Sequence, residues 1–266
     1  MPGDEATRRE LGEFLRSRRA RVRPQDVGFP VGARRRTQGL RREEVAVLAG
    51  LSPTWYTYLE QGRDIRPSTE VLDSLARVLQ LTEDERRYMH TLAYGQVIQP
   101  QPLDSKVPPD DVLRQIVATT NNSPYPVYAT DVYCDLIAWN EAATEWYDDW
   151  DNLPAGECNI LHWMLTAEKA RKRLIGWESD TRDIVARWRA EVAKWPDDDL
   201  LRRRIAEFTE LSPDFVRWWN DRDVQEHRAK VRRFRHPQLG EQVMRIVPVY
   251  TPESAPSIIV FHLPAR

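Results

Sequence analysis

The 266-residue chain holds two cysteines, Cys134 and Cys158, too few for a disulfide framework. No apolar run approaches the roughly 20 residues that a membrane-spanning helix needs. The opening MPGDEATRRE lacks the apolar segment of a secretory signal, so a reducing cytosol is the expected compartment. The five histidines, His90, His162, His227, His236 and His262, include no pair at metal-ligand spacing, and neither cysteine has a partner nearby in sequence. No nucleophile elbow, P-loop or dinucleotide-binding glycine motif occurs. Asp148–Asp149 and the run Asp197 to Asp199 stand beside expected helix ends, where caps and solvated faces account for them. No catalytic residue, metal or cofactor is expected.

Charge is plentiful but unevenly placed. The net charge is -2, so the chain as a whole is no basic nucleic-acid coat. Between Arg8 and Arg66, however, fourteen arginines face seven acidic residues. A basic end on an otherwise acidic chain suggests nucleic-acid binding.

The N-terminal part reads as helical. Leu11, Phe14, Leu15 and Val22 repeat at helix spacing. After a loop punctuated by glycine and proline, a second helix begins near Arg41, with Val45, Leu48 and Ala49 as its stripe. Gly50 follows where a left-handed turn residue is wanted. Ser52 caps a third helix, with Pro53 at its first position. Pro67 and Ser68 open a fourth helix. Thr82 and Glu85 form a capping box for a fifth. The expected organisation is a five-helix, all-α domain over 1–97, a proline-rich linker over 98–110 and a second domain over 111–266.

Nine of the ten tryptophans lie in that second domain. YPVYATDVYCDLIAWN reads as two strands and a tight turn. Helical stripes follow on Ile184, Trp188, Val192 and Trp195, on Leu201, Ile205 and Phe208, and on Phe215 and Trp219. Three strands close the chain: KVRRFRHP, EQVMRIVPVY and SIIVFHLP. This order gives an α+β domain with one antiparallel sheet.

The third helix poses the sharpest question. Tyr56 and Leu59 anchor it inward, which leaves Pro53, Thr54, Thr57 and Tyr58 on other faces, with Trp55 beside them. Short hydroxyls and flat rings suit hydrogen bonds and methyl contacts at base edges in a major groove. Gln61, Arg63 and Arg66 stand at the far end, where phosphates would run.

The segment RRRTQGLRREEVAVLAGLSPTWYTYLEQGR, with AWNEAA, LSPDFVRWW and KVRRFRHPQLGE further on, resembles the MmyB-like transcription regulators of the xenobiotic-response-element helix-turn-helix family. The resemblance covers nearly the whole chain. It implies a lambda-repressor-like helix-turn-helix domain followed by a PAS-like ligand-binding domain. It places Pro53, Thr54, Thr57 and Tyr58 at base-facing positions, with Ser52 and Trp55 adjoining. Arg41 and Arg42 fall at the start of the preceding helix, which lies over the backbone and can reach a base edge. Pro53 departs from the glutamine common at that position and makes no bidentate contact to adenine. Specificity then rests more on Arg42, the threonines and DNA shape. Arg34, Arg35 and Arg36, in the long loop before Arg41, suit phosphates or a minor groove.

In the PAS-like domain, the candidate ligand-lining residues are Trp163, Met164, Trp188, Phe215, Trp218, Trp219, Met244 and Ile246, with Arg233 as a candidate partner for an acidic head group. The expected partners are an operator duplex, a small apolar or fatty-acid-like ligand, and a second copy of the chain in a homodimer. The alternative for the C-terminal domain is a dimerisation or protein-interaction module without a small ligand.

Overall fold

The computed structural model describes residues 5–29, 39–94, 109–154, 157–196, 198–225, 228–250 and 257–265. The chain divides into two compact units. One comprises Met1–Val97, Arg189–Asp197 and Asp221–Gln225; the other comprises Ile98–Trp188, Asp198–Asn220 and Glu226–Arg266. Most of the expected linker lies outside the described residues.

The first unit contains α1 (Glu5–Arg21), α2 (Arg42–Ala49), α3 (Pro53–Glu60), α4 (Thr69–Val78) and α5 (Glu83–Tyr94). Its core joins Phe14 and Leu15 of α1 to Val45, Ala46, Tyr56, Leu72, Leu75 and Met89, all buried. The expected stripe on α2 needs correction: Leu48 is 38% exposed. The eight-residue α2 packs on both α3 and α4, so Val45 and Ala46 form its inner face and Leu48 turns away.

The turn between α2 and α3 is fixed by backbone chemistry. Gly50 has φ +71°, a left-handed conformation that suits glycine, and the Leu51 N–H donates to the Ala46 carbonyl at 2.8 Å. Ser52 Oγ accepts from the Trp55 N–H at 3.1 Å, which caps α3. The Thr82–Glu85 box is present in both directions, at 2.8 and 3.3 Å. Glu10 on α1 accepts from the Tyr88 hydroxyl at 2.9 Å and from Arg189 at 2.8 Å, within the same unit.

The second unit is built on five antiparallel strands: β1 (Val127–Thr130), β2 (Leu136–Trp139), β3 (Lys230–His236), β4 (Gly240–Tyr250) and β5 (Ile258–Pro264), in the spatial order β2-β1-β5-β4-β3. The expected strands all form, and the architecture is the PAS-like one. Inserted helices α7 (Glu141–Trp146), α8 (Ile160–Thr166), α9 (Glu168–Arg173), α10 (Trp177–Val192), α11 (Asp199–Leu211) and α12 (Pro213–Asp221) follow β2. One sheet face brings Tyr128, Phe234, Met244, Ile246 and Val260 into a core with Trp146, Trp150, Trp163 and Met164. A further helix, α6 (Pro109–Ala118), sets Leu113 and Val117 against Val127, Ala129 and Ile259 on the other face.

Candidate DNA-reading face and ligand-domain interior

Helix α3 separates its residues cleanly. Tyr56, Leu59 and Glu60 are buried; Ser52, Pro53 and Thr54 are exposed, and Thr57 and Tyr58 are half-buried. The Thr57 hydroxyl donates its proton to the Pro53 carbonyl at 2.8 Å, so toward any further partner it can act only as an acceptor. Trp55 leans partly on the core. At the far end, the Arg63 guanidinium lies 4.0 Å from the Tyr58 ring centroid, and its Nε donates to Gln61 Oε1 at 3.1 Å. These contacts hold Tyr58, Gln61 and Arg63 as one cluster. Arg66 is exposed. Arg41 precedes α2, and its backbone N–H donates to Glu44 Oε2 at 2.7 Å, so its exposed side chain stays free of that cap. Arg34, Arg35 and Arg36 lie outside the described residues.

Glu60 is a residue that the sequence reading passed over. Its side chain is fully buried at the last position of α3. Arg19 donates to it through Nε at 2.6 Å and Nη2 at 3.2 Å, and Arg42 through Nε at 2.6 Å. Burial pushes the carboxyl pKa up, but the bonds from Arg19 and Arg42 outweigh it and hold the group below the ordinary carboxylate value. Burial, reinforced by this carboxylate, raises the Tyr56 phenol well above its ordinary value. The legible signal was positional: Glu60 falls on the same inward stripe as Tyr56, four residues earlier.

In the second unit, the candidate lining residues fall into separate groups. Trp163, Met164, Met244 and Ile246 share one buried cluster. Trp188, Phe215 and Trp219 pack on one another, and Phe208 packs on Trp188 and Phe215, at ring-centroid distances of 5.4 to 6.3 Å. Trp218 lies against Trp177 at 5.9 Å.

Arg233 does not reach the interior. Strand β3 alternates, with Arg232, Phe234 and His236 buried and Val231, Arg233 and Arg235 exposed. The inward arginine is therefore Arg232. Its Nη2 donates to Asp183 Oδ2 at 3.1 Å, and its Nε stands 3.4 Å from Asp180 Oδ1. Arg187 Nη2 lies 2.9 Å from Asp183 Oδ2 and Lys230 Nζ lies 2.6 Å from Asp183 Oδ1. Three cations thus share two carboxylates. The Nε atoms of Arg187 and Arg232 are buried without a hydrogen-bond partner among the described residues. Burial raises the Asp180 pKa, against the pull of Arg232 and Lys230.

Nearby on the same sheet face, His262 is fully enclosed. Its Nδ1 donates to the Pro126 carbonyl at 2.9 Å, which leaves Nε2 to accept from the Tyr147 hydroxyl at 2.5 Å. Burial lowers its pKa to about 3. No group of three or more potential metal ligands gathers among the described residues.

A basic five-helix unit with an exposed capped helix, joined to a PAS-like sheet unit, defines a DNA-binding regulator with a ligand-binding domain. The comparisons agree. Residues 10–89 match the family model for a helix-turn-helix domain, and residues 110–266 match that for the MmyB-like transcription regulator ligand binding domain. The chain belongs to the MmyB-like transcription regulators. No curated protein matches it. No helix among the described residues is long and apolar enough to cross a membrane.

Proposed function

We propose that the protein is a sequence-specific regulator, acting in the cytosol as a homodimer, that reads an operator with α3 and senses a small apolar or amphipathic molecule with its C-terminal domain. The observation that carries the first part is the division of α3. Tyr56, Leu59 and Glu60 lock it inward, while Pro53, Thr54, Thr57 and Tyr58 stay accessible. Base reading belongs to Thr54, Thr57 and Tyr58, and phosphate binding to Gln61, Arg63 and Arg66. A single reader covers one half-site weakly, and a dimer over a pseudo-palindrome doubles the contact.

The positive surplus around Arg232 supports an anionic ligand. Three cations face two carboxylates; among the described residues the buried Arg187 Nε has no hydrogen-bond partner and the Arg232 Nε has only the 3.4 Å ion pair to Asp180, so one more anionic acceptor would be accommodated here. A carboxylate on an apolar chain would supply it, with the adjoining aromatic cluster enclosing the chain. Such a ligand regulates DNA binding only by favouring one state of the protein, since equal affinity for both shifts nothing.

A second reading has its own support. The rings of Trp188, Phe208, Phe215 and Trp219 pack on one another, as in a core that needs no ligand. In that case the domain serves as a dimerisation or interaction module. Native mass spectrometry of the purified protein separates the two. A dimer carrying a co-purified small acid is the expected result. A bare polypeptide mass, with no shift in melting temperature on adding long-chain acids, favours the module.

A further inference from the structure

We infer that Glu60 is a positioning residue for DNA recognition. This buried carboxylate clamps the Nε edge of Arg42 and turns the two terminal nitrogens of that guanidinium toward the DNA surface beside α3. The inference rests on α3 as the reading helix and adds a residue that touches no base itself.

Glu60 stands at the C-terminal end of its helix, where exposed carbonyls disfavour a negative charge, and it is fully removed from water. Such a carboxylate must be well paired, and Arg19 alone comes close to satisfying it. Arg19 supplies Nε and Nη2 to the two carboxylate oxygens and commits Nη1 to the Leu40 carbonyl at 2.7 Å. All three of its nitrogens are then used inside the fold. Arg42 is arranged differently. It bonds through Nε alone, its side chain is 38% exposed, and its Nη1 and Nη2 have no partner among the described residues.

One carboxylate against two guanidinium groups leaves a surplus positive charge, and the exposed member of the pair carries it. Arg42 is the first residue of α2, and α2 packs directly on α3. Its free fork is thus fixed at the edge of the reading face. A planar fork held along one edge matches a phosphate or a guanine edge with its other side. A lysine in its place has one nitrogen, which cannot serve Glu60 and DNA in the same way.

The test uses the full chain and a duplex that the parent protein enriches from a randomised DNA pool. Arg42→Lys keeps the charge but loses the clamped edge, and it is expected to lose affinity about tenfold, as Arg42→Ala does. Glu60→Gln is expected to weaken binding by a similar factor in the parent and to add nothing in an Arg42→Ala background. A purely structural role for Glu60 would instead weaken both backgrounds alike. Arg42→Lys binding at parent affinity, or equal losses from Glu60→Gln with and without Arg42, overturns the inference. If Glu60→Gln fails to fold, the comparison of Arg42→Lys with Arg42→Ala, at parent melting temperature, decides alone. If the parent enriches no duplex, the reading of α3 falls and this inference falls with it.

Discussion

Gly12 on α1 lies directly against the end of α3: a Cβ built on it would stand 2.4 Å from the Glu60 carbonyl oxygen and 3.0 Å from that of Leu59. Both obstacles are backbone, which no rotamer change relieves. The missing side chain therefore sets how closely α3 seats on α1. Gly12→Ala is expected to cost about 1–3 kcal/mol, as overpacking does elsewhere, and to weaken DNA binding because α3 is displaced. Thermal melting and DNA titration check this, and a variant with the parent's melting temperature contradicts it.

His262 makes a prediction about pH. Its folded pKa of about 3 lies below the ordinary value, so the unfolded chain binds the proton more readily. The stability it contributes is complete above about pH 6.5, its ordinary value, and is lost as pH falls toward 3. In the folded protein its ring should stay neutral down to about pH 4. Histidine NMR across pH 4–8 checks this, and a ring titrating near 6.5 contradicts it.

Arg232 makes a prediction about ligand chemistry. Asp183 keeps Arg187 and Lys230 when Arg232 is replaced, so Arg232→Gln is expected to fold. In the parent, a long-chain carboxylic acid should quench tryptophan fluorescence at a lower concentration than the alcohol of the same length. In Arg232→Gln that preference should vanish. A preference unchanged in the variant, or no quenching of the parent by either, contradicts the assignment.

Much of this fold was legible because its punctuation is chemical. Ser52, the Thr82–Glu85 box and Gly50 mark element ends through specific backbone bonds, and all three act as their residue types imply. The alternating KVRRFRH strand was legible as a strand. Its phase was not: four of its seven residues are basic, so polarity gives no inward side, and only the sheet reveals that Arg232 rather than Arg233 faces the core. Helix α6 was missed because its Leu113 and Val117 follow directly on a proline-rich stretch. Glu60 was missed because a charged residue at a helix end reads as solvated until its partners are known. Those partners, Arg19 and Arg42, are 41 and 18 residues away in sequence.

The central claim is that the outer face of α3 reads bases while its far end holds phosphates. The most direct test is to measure affinity across all single-base variants of an enriched operator for the parent, Thr57→Ala and Arg63→Ala, at several salt concentrations. Thr57→Ala should change discrimination at one base position by about 1–3 kcal/mol and leave the rest of the profile intact. Arg63→Ala should weaken every sequence alike and flatten the dependence on salt. Profiles and salt slopes matching the parent in both variants would contradict the assignment of α3 as the reading helix.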